Sequence, residues 1–203
     1  ATTDLYTLSL HDALPISVYL SITLYLGSGV IGTFHHLYWS GSPMPVIALG
    51  AVFSALEIVP LTILGFEAAG NMRVVAKSGA KHPYRWPIYF FVSVAFWNLV
   101  GAGVFGFLIN PPIVLYYAQG INTTPIHSHT ALFGVYGLLA IALMLFSVRH
   151  IVTRASWSDS LLKWSFWGLN GGLAAMTVFS LIPSGFYQFY HAVKYGLWHA
   201  RSP

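Results

Sequence analysis

Five stretches of this chain, at positions 17–38, 45–69, 86–109, 126–148 and 164–183, are continuously apolar. Each is about 20 residues or longer, enough at roughly 1.5 Å of rise per residue to carry a helix across about 30 Å of hydrocarbon. Polar and apolar residues do not alternate within them, as the strands of a membrane barrel would require. Only 7% of the 203 residues are charged and 56% are hydrophobic, with a mean hydropathy of +0.68. A soluble domain carries about 25% charged residues. The expected fold is all-α, a polytopic transmembrane bundle of about five spanning helices.

The basic residues fall between the runs. Arg73, Lys77, Lys81 and Arg85 fill one loop, and Arg149, Arg154 and Lys163 another. The loops 39–44 and 110–125 contain no Lys or Arg. Positively charged loops stay on the cytoplasmic side, so the first helix is expected to run outward. The formal charge of +4 is therefore a topological signal and carries no indication of nucleic-acid binding. Cysteine is absent, which excludes thiolate metal sites and disulfides.

The two ends do not fit this pattern. Residues 1–16 are too polar to span and lack the basic start of a signal peptide. They resemble translated sequencing-adapter DNA and are read as a non-native leader. Residues 186–203 are expected to lead away from the last helix as a tail. The domain from 17 to 203 is thus read as part of a larger membrane domain, truncated at both ends.

Ionisable side chains inside a bilayer are costly and default to functional hypotheses. His35 and His36 close the first run, and His127 and His129 open the fourth, which starts from the same outer side. All four therefore share one depth. At 3.6 residues per turn, His127 and His129 stand about 200° apart and cannot readily chelate one ion. They could serve two cofactors, one on either side of their helix. Adjacent His35 and His36 stand about 100° apart and could converge on one metal if the helix end is loosely wound. Neutral imidazole suits iron or copper and serves as an axial haem ligand. A lone membrane histidine more often hydrogen-bonds a neighbouring helix, but two pairs at matched depth favour ligation.

Glu57 lies about twelve residues into the second run, close to Pro60, which frees a backbone carbonyl. A carboxylate there costs at least about 2.5 kcal/mol on insertion scales or stays protonated, which suits it to carrying protons. Glu67 is expected to snorkel to water or pair with Arg73. Tyr38, Ser54, Thr62, Asn98 and Tyr136 are explained by helix–helix hydrogen bonding. Trp39, Trp86, Tyr116, Tyr117, Trp164 and Trp198 read as interfacial belt residues, and His82, His150, His191 and His199 as solvated loop or tail residues.

The segments Gly32-Thr33-Phe34-His35-His36-Leu37-Tyr38-Trp39 and Asn122-Thr123-Thr124-Pro125-Ile126-His127-Ser128-His129-Thr130-Ala131-Leu132-Phe133-Gly134-Val135-Tyr136-Gly137 resemble two helices of the haem–copper oxidase main subunit. Their wording is that of its nitric oxide reductase branch, in particular the single-chain, quinol-dependent kind. Phe34 departs from the pattern, which expects a small residue there. The resemblance implies that His35 and His36 bind a non-haem iron and that His127 is the proximal ligand of a high-spin haem (haem b3). It implies that His129 is an axial ligand of a low-spin haem (haem b), and that Glu57 matches a glutamate close to the binuclear centre. It further implies reduction of nitric oxide in the bacterial cytoplasmic membrane, with quinol or cytochrome c as electron donor. The remaining ligands would come from helices upstream of position 17. Two rival readings are an oxygen-reducing terminal oxidase of the cbb3 kind and a haem-free proton or ion transporter.

Overall fold

The computed structural model of the chain describes residues 19–78, 83–153 and 156–202, and among them there is no strand. The proposed leader, Lys81, His82 and Arg154 lie outside the described residues. The first helix, α1, covers 19–32 and tightens into a 3-10 turn, Thr33–Leu37. Two helices follow, α2 (Met44–Leu56) and α3 (Ile58–Ser78). Then come α4 (Arg85–Ile109) and the short α5 (Pro112–Ala118), followed by α6 (Thr123–Ile151) and α7 (Asp159–Tyr195). The chain closes on α8 (Leu197–Arg201). The chain forms a multi-pass membrane bundle. Among the described residues, four helical stretches, Met44–Gly70, α4, α6 and α7, are long and apolar enough to cross a membrane.

The second expected span is broken at Glu57, where α2 ends and α3 begins. Pro60 has no N–H to return to the carbonyl of Leu56, so the turn around Glu57 cannot close as a regular α-helix. Glu57 N reaches back to Ser54 O at 3.2 Å, and Leu61 N bonds Glu57 O at 3.2 Å. Inside α4, α6 and α7 the winding loosens to π-helix over Asn98–Phe105, Leu132–Gly137 and Thr177–Leu181.

The expectation that 186–203 is a tail is corrected. Helix α7 continues 12 residues past the expected boundary of 183, to Tyr195, and α8 folds back after Gly196. The apolar run stops near Ser184, but the helix persists because one side of it is covered. Gln188 Oε1 accepts from Asn122 N at 2.7 Å, Ser184 Oγ accepts from Asn122 Nδ2 at 3.1 Å, and Arg201 Nη2 donates to Gln119 O at 2.8 Å. His191 and His199 accordingly sit on helices, with rings stacked 5.4 Å apart.

The main core lies between α4, α6 and α7, where Phe90, Trp97, Val135, Leu138, Ala142 and Leu173 are buried together. Trp97 Nε1 donates to Asn170 Oδ1 at 2.8 Å within it. At one end of the bundle Asp159 accepts from Trp86 Nε1 at 2.7 Å and pairs with Arg85 at 3.0 Å. Trp86 is thus buried, which corrects its reading as a belt residue, whereas Trp39, Trp164 and Trp198 are exposed. His150 closes a helix beside the same loop and hydrogen-bonds the Tyr84 hydroxyl at 3.0 Å. The opposite end carries the 3-10 turn, α5 and the start of α6. A second core of Tyr38, Ile47, Ala51 and Leu115 packs there, and Tyr38 OH donates to Pro112 O at 3.0 Å.

Candidate metal and cofactor site

The helix end was expected to be loosely wound, but it is wound more tightly, as a 3-10 turn that sets neighbouring residues about 120° apart. The rings of His35 and His36 nonetheless lie 4.0 Å apart at 35° to one another. His35 is buried and His36 is exposed. The turn is pressed from below by α2. A side chain on Gly50 would place its Cβ 2.5 Å from His35 N and 2.7 Å from Phe34 C, so the approach requires glycine. Phe34 is partly exposed, so its bulk is not driven into the site.

His127 reaches the same region from α6. It is half-buried, and it is linked to the His35 turn through Asn110 and Ser54, which join α4 to α2. Its ring is fixed by α4, since His127 Nδ1 lies 2.7 Å from Gly101 O, inside the π-helical segment. The helices meet here because Gly101 has no Cβ. One would come within 2.6 Å of Thr130 Oγ1. His129, two residues on, is exposed, with Nδ1 at 3.0 Å from Pro125 O of its own helix.

These contacts set the chemistry the rings can offer. A carbonyl oxygen only accepts, so each Nδ1 bonded to one must carry the proton, which leaves Nε2 with its lone pair. His35 Nδ1, at 2.5 Å from Gly32 O, follows the same rule. Three imidazoles, of His35, His127 and His129, are therefore held in the tautomer that ligates through Nε2. Outer partners of this kind orient metal-bound histidines. The donor set suits iron, copper or haem iron in kind. It is not a full shell: among the described residues no three His, Cys, Asp or Glu side chains are grouped to hold a metal ion.

Glu57 lies half-buried on the inner side of this site. Its Oε1 is 3.7 Å from the point a Cβ on Gly29 would occupy, so it faces α1. Gly29 precedes His35 by six residues, or roughly 9 Å along the helix. Tyr25 stands one turn before Gly29 on the same face of α1. The side chain of Glu67 lies outside the described residues, and Arg73 is exposed.

Residues 16–200 match the family model described as Cytochrome C and Quinol oxidase polypeptide I. The chain belongs to this family. A curated relative, a nitric oxide reductase chain from Stutzerimonas stutzeri, is 28% identical over 166 residues. The match takes in 80% of this chain but spans about a third (34%) of the relative's length. The haem–copper oxidase subunit I family is one of haem-binding membrane redox proteins.

Two polar residues near these side chains carried no sequence signal that singled them out. Asn110, 1% exposed, follows directly on an apolar run, where a polar residue is ordinary. Its amide Nδ2 donates to Ser54 Oγ at 2.7 Å, while Oδ1 finds no donor among the described residues. Tyr25 sits within the first run and reads there as one more aromatic. Of the residues assigned to helix–helix hydrogen bonds, Ser54 and Tyr38 make them, whereas Thr62 bonds Ile58 O of its own helix.

Proposed function

We propose that the protein to which this chain belongs reduces two nitric oxide molecules to nitrous oxide and water, using two electrons and two protons. The observation that supports the reading is the pairing of His35 and His36, 4.0 Å ring to ring, at the end of the bundle where the helix carrying His127 and His129 begins. The activity for which the Stutzerimonas stutzeri relative is named favours nitric oxide among the substrates of the family.

In this reading His35 and His36 hold a non-haem iron, His127 holds the high-spin haem b3 and His129 the low-spin haem b. When bound, these groups supply electron delivery and the polarisation of the N–O bonds. The chain supplies orientation. Gly32, Gly101 and Pro125 carbonyls fix the imidazoles of His35, His127 and His129. Gly50 lets α2 approach the turn of α1 and Gly101 lets α4 approach α6, which would hold the ligand-bearing elements together. Glu57 holds a proton at its carboxyl group at the break between α2 and α3, and passes it towards the histidine end. The third iron histidine, an iron glutamate and the second low-spin ligand come from helices upstream of position 17 in the complete protein. Quinol is the donor suggested by the wording of the two motifs, cytochrome c the other candidate. The setting is the bacterial cytoplasmic membrane and a denitrifying respiratory chain.

The family description also covers oxidases, so oxygen reduction with copper in the iron's place is the second reading. The test is the product of the complete gene, purified in detergent. Nitric oxide consumption yielding one nitrous oxide per two nitric oxides, with iron and no copper by metal analysis, is the expected result. Copper together with quinol-driven oxygen uptake selects the oxidase, and the absence of any haem spectrum rejects both. Glu57→Gln should lower turnover by about 100-fold, the loss typical of a general acid–base group, without changing haem content.

A further inference from the structure

Two side chains that the histidine chemistry does not use connect its two halves. Ser54 of α2 lies against α1 at the turn that holds His35. A Cβ on Gly32 would stand 3.1 Å from Ser54 N and Cα, and the Gly32 carbonyl is the one that accepts from His35 Nδ1. Asn110, at the end of α4, lies against the other half. The point a Cβ on Gly106 would occupy is 3.1 Å from His127 Cε1 and 3.6 Å from Asn110 Nδ2. Asn110 N is itself fixed to Gly106 O at 3.0 Å. The 2.7 Å hydrogen bond from Asn110 Nδ2 to Ser54 Oγ, buried at both ends, joins the two.

We propose that Ser54 and Asn110 form a positioning strut that sets the separation between the His35–His36 turn and His127. This rests on those histidines being ligands, as proposed above. A hydrogen bond between membrane helices adds little to their association, so its use here is geometric. Among the described residues, helix α2 meets the His35 turn through van der Waals contact, at Gly50 and Gly32 and where Ile47 and Ala51 pack on Tyr38, and such contact carries no directional restraint. The strut supplies the directional restraint against withdrawal. Asn110 is suited to it because its amide has two ends. Nδ2 engages Ser54, and the buried Oδ1, unpartnered among the described residues, takes one further donor such as an ordered water.

The test uses the complete, haem-loaded enzyme with Ser54→Ala, Asn110→Leu, the double variant and Ser54→Thr, read by optical and electron paramagnetic resonance spectra alongside melting temperature. The strut predicts that Ser54→Ala and Asn110→Leu each shift the high-spin haem signature and leave the low-spin signature of the His129 haem in place. The double variant should shift it no further than the larger single, and Ser54→Thr, which keeps the hydroxyl, should match the unaltered enzyme. Lowered melting with an unmoved high-spin signature overturns the positioning role, as do additive shifts or a Ser54→Thr variant as altered as Ser54→Ala. An unaltered enzyme without haem would instead defeat the functional reading itself. The strut would then be judged by melting alone, and independent, additive losses in the two single variants would overturn it.

Discussion

A methyl group is a sharp probe of how the histidine end is assembled. At Gly50 it would meet the backbone of Phe34 and His35, neither of which can rotate out of its way. Overpacking of this kind costs about 1–3 kcal/mol. Gly50→Ala should therefore lower the melting temperature of the complete protein and reduce the metal bound at His35 and His36. Gly27→Ala, where nothing lies within 4 Å, should leave metal content unchanged. Equal metal content in both variants would contradict the packing described. The candidate ligands themselves were legible in the sequence, because an imidazole or carboxylate inside an apolar run is costly enough to stand out. Their partners were not. The groups that fix the rings are the carbonyls of Gly32, Gly101 and Pro125, and a backbone atom leaves no mark in a sequence. Trp86 shows the opposite error. Its position at the end of a span suggested lipid, whereas Asp159, 73 residues away, draws it inward.

At the scale of elements, length and hydropathy located the helices but not their interruptions. The break at Glu57 follows from Pro60 and was partly foreseeable, since a missing N–H always frees a carbonyl. Pro60→Ala should let the turn close, straightening α2 into α3 and turning the Glu57 carboxylate from its place beside Gly29. The expected outcome is unchanged or higher thermal stability with lower turnover, and undiminished turnover would show that the break has no role. The π-helical segments had no such signal. The one at Asn98–Phe105 arises where α4 and α6 touch at Gly101 and Thr130, a tertiary contact that periodicity does not encode. The extension of α7 was hidden for a similar reason, as its last turns are held by Asn122 and Gln188 rather than by hydrophobicity. At the other end of α7, Asp159 joins Arg85 and Trp86. Its side chain is 56% exposed, so screening limits the ion pair. Asp159→Ala should cost about 1 kcal/mol, seen as lowered melting, with Asp159→Asn retaining much of it through the indole hydrogen bond.

For the whole molecule, the account places the loop with Ser40 outside and the loop with Ser156 inside, on the strength of the basic residues around 73–85 and 149–163. Ser40→Cys and Ser156→Cys, each made in a background otherwise free of cysteine, place a single thiol at an exposed position. In intact cells an impermeant maleimide should label the first readily and the second only after permeabilisation, and the reverse pattern would invert the topology. In the function proposed above, one end of this bundle would present two distinct haem ligands on one helix, beside a paired-histidine metal site. Spectra of the complete, haem-loaded protein carrying His127→Ala or His129→Ala test it most directly. His127→Ala should lose the high-spin haem and keep the low-spin one, while His129→Ala should do the converse. Identical spectra in the two variants, or spectra unchanged by either, would contradict it.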